Sequence, residues 1–227
     1  MNLVSLLLMW LKTKEVGASK CHITKRLSHS LRSLRRTHAG RLRHYAPHAC
    51  APYLKVRCKS SMATLYIFSG LPGTGKSTLA ALLSKYLGAS YLRVDTIEQS
   101  LKDICSLEVY AEGYKIAYRL ASDNLIQGLN VVGDSCNTVP ESRVEWEQTA
   151  INSGAKYVNI EISCSNKIEH KIRVESRDAP VKGLALPSWE SVKSREFHSW
   201  DSEIISIDTA GESPERSIQK LIERLGV

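Results

Sequence analysis

From Ser69 to Ala80 the chain reads SGLPGTGKSTLA, preceded by the apolar run TLYIF from Thr64 to Phe68 and followed by ALLSKYL at 81–87. The leading segment is short, β-branched and aromatic, as a buried strand is. The trailing segment is Ala-rich and sets Leu79, Leu82, Leu83 and Leu87 at helical spacing. Between them, Gly70, Gly75, Lys76 and Ser77 satisfy G-x-x-x-x-G-K-[ST] in the strand–loop–helix context that the pattern requires. Glycines let the backbone approach a polyphosphate closely and turn N–H groups toward it, at the positive end of a helix dipole. This assigns Gly70, Leu71, Pro72, Gly73, Thr74, Gly75, Lys76, Ser77 and Thr78 to phosphate binding. Within the set, Lys76 supplies a full charge and Ser77 a hydroxyl for Mg²⁺, which takes few protein ligands.

The rest of the chain of 227 residues divides by charge. Residues 1–61 hold 13 Lys and Arg against the single acid Glu15, a net +12, whereas 62–227 hold 18 against 22, a net −4. The first part has no repeated core pattern and is expected to be a basic extension that does not fold alone. Three readings of it stay open: a transit peptide, a nucleic-acid-binding arm, or an extension upstream of a start at Met62. Its apolar run LVSLLLMWL, from Leu3 to Leu11, is too short to span a bilayer and lacks the flanks of a secretory signal. Cys21, Cys50, Cys58, Cys105, Cys136 and Cys164 show neither paired nor metal-ligand spacing, which points to a reducing, cytoplasmic setting without a zinc site or disulfide framework.

From Met62 onward strands and helices alternate. SYLRV (90–94), NVVGD (130–134), KYVNIEIS (156–163) and EIISID (203–208) read as further strands, and SPERSIQKLIERL as a terminal helix with Ser213 as N-cap and Pro214 at N1. A helix is also expected from Pro140 to Ile151. The expected fold is therefore α/β: a five-stranded parallel sheet with helices on both faces over 62–227. Ligands in such sheets gather at the carboxyl ends of the strands, where the sequence places the glycine loop, Asp95, Asp134 and Asp208.

The segments IFSGLPGTGKSTLA, LRVDTIEQ, VVGDSCNTVPESR, IEISCSNKIEHKIRVESR and LPSWESVKSREF together resemble the AAA-type predicted kinases of the P-loop kinase superfamily, a group similar to the zeta-toxin, chloramphenicol phosphotransferase, gluconate kinase and polynucleotide kinase families. The resemblance spans 62–227. It implies ATP and Mg²⁺ as cofactors, a helical lid over about 166–199, and Asp95 as the group that deprotonates or orients the acceptor hydroxyl. Asp134 falls at a Walker-B-like position near Mg²⁺ or substrate, and the metal role is the expected one. A helix cap is the competing role for either Asp. In the lid, Arg173 and Arg177 stand four apart and are expected on one helical face, both reaching one phosphate. For Arg173 a surface ion pair with Glu169 competes with that role. Arg143 and Arg195 are weaker candidates for substrate contact.

DTAG (208–211) and NKIE (166–169) mimic two GTPase signatures, but in reversed order and with Glu169 where an Asp would read guanine. DTAG instead suits the adenine side of the site. No hydrolytic Glu follows Asp134, so transfer to an acceptor is favoured over mechanical ATP hydrolysis. The expected activity is transfer of the γ-phosphoryl group to a hydroxyl of a small molecule. A polynucleotide 5′-hydroxyl kinase and an ATP-binding regulatory module without transfer activity are the alternatives. The negative charge of 62–227 argues against a nucleic-acid track on the folded part, and no membrane association is expected.

Overall fold

The computed structural model describes residues 62–179 and 181–227. The chain divides into two units, 1–57 and 58–227, and the described residues belong to the second. The readings made for residues 1–61 lie outside the described residues.

β1 (Thr64–Ser69) leads through the glycine loop into α1 (Lys76–Leu87). There follow β2 (Ser90–Arg93), α2 (Val94–Cys105), α3 (Glu112–Ile126), β3 (Val131–Asp134), α4 (Pro140–Asn152) and β4 (Lys156–Ser163). The chain ends with α5 (Lys167–Ser176), α6 (Trp189–Lys193), β5 (Ile205–Asp208) and α7 (Pro214–Leu225). All strand pairs are parallel, in the order β2-β3-β1-β4-β5. The expected sheet is therefore present, with β1 at its centre.

Strand alternation explains why both faces are covered. Leu65 and Ile67 of β1 point to one face, where Ala117, Ala121 and Leu125 of α3 and Trp146 and Ala150 of α4 bury them. Tyr66 and Phe68 point to the other, beneath Leu79, Ala80 and Leu83 of α1 and Leu221 of α7. The helices stop where local chemistry stops them. α1 ends at Gly88 in the left-handed region (φ 61°), and α7 starts at Ser213, whose hydroxyl accepts the Arg216 amide, with Pro214 following as expected. Asn166 caps α5 by accepting the amides of Ile168 and Glu169.

Apart from shifts of one or two residues at other ends, two boundaries that bear on the site differ from expectation. β2 ends at Arg93 and passes directly into α2, so Asp95 is the second residue of a helix rather than the last of a strand. α5 ends at Ser176, and Arg177 has extended backbone (φ −75°, ψ 145°). Arg173 and Arg177 therefore do not share a helical face. Pro180, which cannot continue a helix, stands three residues beyond Arg177, a stop signal of the usual kind.

Trp146 of α4 joins three elements. Its fully buried indole meets Tyr118 of α3 edge-on at 4.7 Å and lies against Gly133 of β3, where a Cβ would come within 3.1 Å of the ring. Trp146→Ala should cost about 3–5 kcal/mol, read as a lower denaturant midpoint with an unchanged m-value; a loss under about 1 kcal/mol would show that the helix–sheet contact re-closes around the gap.

Candidate active site

The loop from Gly70 to Gly75 is shaped by what surrounds it. Gly70 (φ +146°) lies so close to β4 that a Cβ would fall 2.3 Å from the Ile162 carbonyl oxygen, and Gly73 (φ +87°) lies so close to α5 that one would fall 2.5 Å from Val174 Cγ2. Such contacts exclude any side chain. The Gly70 amide donates to the Cys136 carbonyl at 3.0 Å, and the Thr74 hydroxyl to the Leu71 carbonyl at 2.9 Å. Lys76 follows as the first residue of α1 and is buried. The amides of Gly73, Gly75, Lys76 and Ser77 have no partner among the described residues. Together with the end of the helix dipole they form a concavity suited to an anion.

Lys76 Nζ donates to Asp134 Oδ1. The other carboxylate oxygen, Oδ2, accepts the Tyr91 hydroxyl at 2.7 Å and lies 3.5 Å from Arg93 Nε, which also donates to the Tyr91 oxygen at 2.9 Å. Register explains the meeting, since Arg93 of β2 and Phe68 of β1 both pair with Asp134 of β3. Burial alone would raise the Asp134 carboxyl, but the Lys76 charge and the hydrogen bonds of Lys76 and Tyr91 outweigh it and hold it below its ordinary value. On Lys76, burial opposes the charged form and the Asp134 carboxylate more than restores it. The Tyr91 hydroxyl is pushed up by burial and then by Asp134. Tyr91 and Arg93 did not stand out in the sequence, because their role depends on strand register.

A cavity of about 550 Å³ opens on one side of the loop. Lys76, Ser77, Asp95, Cys136, Arg177 and Arg195 line it, together with the chain from Leu184 to Pro187. Asp95 makes no hydrogen bond among the described residues, and α2 is capped by Arg93 without a side-chain bond, so Asp95 faces the cavity rather than serving as a cap. Arg177 reaches the same cavity from beyond the end of α5, and its buried Nε has no partner among the described residues. A second cavity of about 310 Å³ lies between the loop, Arg173, Thr209 and the start of α7. This is the DTAG side.

Two arginines are tied to protein. Arg173 pairs with Glu169 at 2.5 Å, as its competing reading held, and also donates to Thr209 Oγ1 at 2.8 Å and to the Thr209 carbonyl at 2.9 Å. It nonetheless borders both cavities. Arg143, one of the two weaker candidates for substrate contact, is buried and lines neither cavity. It donates to the carbonyls of Asn137 (2.8 Å), Ser199 (2.9 Å) and His198 (2.8 Å) and stacks over Trp200 with its guanidinium carbon 4.0 Å from the ring centroid. It fastens the chain before β5 to the start of α4. Arg195 faces the cavity, and among the described residues its one hydrogen-bond partner is the Cys136 sulfur, at 3.7 Å.

Among the described residues no group of three or more His, Cys, Asp and Glu could hold a metal unaided. Mg²⁺ carried by a polyphosphate needs few protein oxygens. The Ser77 hydroxyl, 3.4 Å from Lys76 Nζ, and the Asp134 carboxylate on that same ammonium are a fitting pair.

Because Asp134 is ionised more readily folded than unfolded, its stabilisation is complete above the unfolded value of about 3.9 and is lost as pH falls through the lower folded value. The melting temperature of Asp134→Asn should lie below that of the parent near pH 6, and the gap should narrow as pH drops below about 4. A gap independent of pH would place the effect in packing instead of charge.

A model of the AAA domain family matches residues 65–183, and no curated protein matches the chain. Among solved structures, a kinase candidate from Chloroflexus aurantiacus superposes with a TM-score of 0.58 at 18% identity, over 74% of this chain and 98% of that one. The APS kinase of Mycobacterium tuberculosis, bound to AMPPNP and APS, superposes with a TM-score of 0.56 at 17% identity, over 73% and 99%. A sugar kinase from Janibacter gives 0.52 at 14% identity, over 74% and 96%. At these identities the likeness is one of fold. The match over 65–183, the parallel sheet of order β2-β3-β1-β4-β5 and the glycine loop at its centre agree, and the chain belongs to this AAA domain family, with the fold of the P-loop kinase superfamily.

Proposed function

We propose that the protein is an ATP-dependent kinase that transfers the γ-phosphoryl group to a hydroxyl of a small molecule. The observation that carries this reading is one cavity in which the loop lysine, a carboxylate (Asp95) and two arginines (Arg177 and Arg195), none of the three with an ion-pair partner among the described residues, face each other. The structural relatives crystallised with AMPPNP and APS, or described as a sugar kinase, lend it support.

In this reading the loop amides and Lys76 bind the phosphates of ATP. Lys76 leaves Asp134 to do so, and Asp134 keeps its charge balanced through Tyr91 and Arg93. Ser77 and Asp134 would hold Mg²⁺, which when bound offsets charge on the β- and γ-phosphates. Asp95 orients the acceptor hydroxyl and takes its proton as the acceptor oxygen bonds to the γ-phosphorus and the β–γ bridging oxygen departs with ADP. Arg177, and Arg173 once released from Glu169, neutralise charge on the transferred group. The segment 166–199 acts as the lid that keeps water out. The DTAG-side cavity, between Thr209 and the start of α7, suits the adenine base. Free thiols at Cys105, Cys136 and Cys164 suit a cytoplasmic setting, and none of the helices described is long and apolar enough to cross a membrane.

The acceptor can be sought by screening metabolites with the purified protein and Mg·ATP for ADP release. With an acceptor in hand, Asp95→Asn should bind ATP within a few-fold of the parent yet transfer about 10²-fold more slowly or worse, the scale of a lost positioned base. Equal turnover would remove Asp95 from the chemistry. Lys76→Ala should lose ATP binding or turnover with the fold intact by circular dichroism, and parent-like behaviour would end the nucleotide reading. Asp134→Asn should regain part of its rate at high Mg²⁺; a rate indifferent to Mg²⁺ would remove it from the metal site.

A further inference from the structure

Amides in a glycine loop serve an anion only if their peptide planes are turned toward it, and here two side chains from outside the loop fix that turn. His170 of α5 has Nε2 at 2.9 Å from the Pro72 carbonyl oxygen. Thr209, just after β5, has Oγ1 at 2.8 Å from the Thr74 carbonyl oxygen. In a trans peptide the carbonyl of one residue and the N–H of the next point to opposite sides, and no described peptide is cis. Holding the Pro72 carbonyl against α5 therefore turns the Gly73 amide away from α5. Holding the Thr74 carbonyl against Thr209 likewise turns the Gly75 amide away from β5. Both amides are without partners among the described residues.

The two holders are themselves fixed. His170 is 6% exposed, with its ring edge-on to Trp189 at 5.2 Å, and the next turn of α5 places Val174 against Gly73. Thr209 is 4% exposed, and because Arg173 Nη1 donates to its oxygen at 2.8 Å, its own proton remains for a carbonyl, that of Thr74 at 2.8 Å or of Ser163 at 3.0 Å. The His170 contact requires a proton on Nε2, since a carbonyl can only accept.

We infer that His170 and Thr209 are positioning residues of the phosphate site, each locking one peptide plane so that the Gly73 and Gly75 amides face the bound anion, with α5 thereby setting the geometry of the loop. The inference rests on the nucleotide reading above and adds two residues that touch neither acceptor nor phosphate in it.

The test titrates the full chain with ADP and with inorganic tripolyphosphate while following the ¹H–¹⁵N resonances of Gly73 and Gly75. His170→Phe and Thr209→Val keep ring and shape but remove the donor, whereas His170→Gln and Thr209→Ser retain one. The first pair should bind both probes about five- to tenfold more weakly, the scale of one net hydrogen bond, and should show smaller Gly73 or Gly75 shifts on binding. The second pair should return to within about twofold of the parent, a recovery that a melting-temperature loss alone would not produce. In turnover the KM for ATP should rise while the acceptor KM stays. A parent that binds neither probe sinks the nucleotide reading and this inference together. A parent that binds while all four variants match it, or while the donor-retaining pair stays as weak as the donor-lacking pair, sinks this inference alone.

Discussion

The turn between β1 and α1 is enclosed on three sides, and the rest of the site depends on that enclosure. β4 lies against Gly70, α5 against Gly73, and Thr209 against Gly75, with its Cγ2 3.7 Å from where a Cβ would stand. Protein neighbours demand glycine at Gly70 and Gly73, and at Gly75 its left-handed backbone (φ +90°) does. A loop compressed in this way cannot adjust its amides freely to a ligand, and its geometry is set before any ligand arrives. Such preorganisation lets a polar site act without reorganising during a reaction.

The same enclosure raises the problem of a buried lysine. An ammonium without counter-charge would be expelled or neutralised, and Asp134 prevents this. Asp134 in turn is not left dependent on Lys76, because Tyr91 and Arg93 approach its second oxygen. The carboxylate is thus supplied with more partners than it needs in this state, which leaves the lysine free to exchange one anion for another without stranding a bare charge. A single buried pair would lack that freedom, since removing either member strands the other.

The alternation of strands and helices, the glycine loop and the cap of α7 were legible in the sequence because each is written in consecutive residues. So was the gathering of Lys76, Asp95 and Asp134 around one region, through the rule that ligands collect at strand ends, while Arg177 was expected there only through the lid that the family resemblance implies. What could not be read was fixed by contacts between distant segments. Arg143 was read as a weaker candidate for substrate contact, and only the approach of the segment from Phe197 to Trp200 turns it into a buried tie. His170 and Thr209 carry no pattern of their own; the one is a lone histidine on a short helix, and the other lay inside a tetrapeptide read for its likeness to another signature. The shared helical face expected of Arg173 and Arg177 failed for a local reason, the nearby Pro180, so that boundary was readable and was missed.

The tie made by Arg143 has one more consequence. The chain between α5 and β5 is fastened at one end by His170 and Val174 to the glycine loop and at the other by Arg143 to α4. Between those anchors it contributes Leu184 to Pro187 and Arg195 to the large cavity. Around Leu184 to Pro187 the chain can lengthen at little cost, because loop extension adds little closure entropy, whereas Trp189 against His170 and the buried Val192 hold the rest of the stretch in place. On the kinase reading proposed above, the architecture separates a half that handles phosphate from an exchangeable half that borders the acceptor, a division of labour through which one scaffold could diversify its substrates while its chemistry stayed the same.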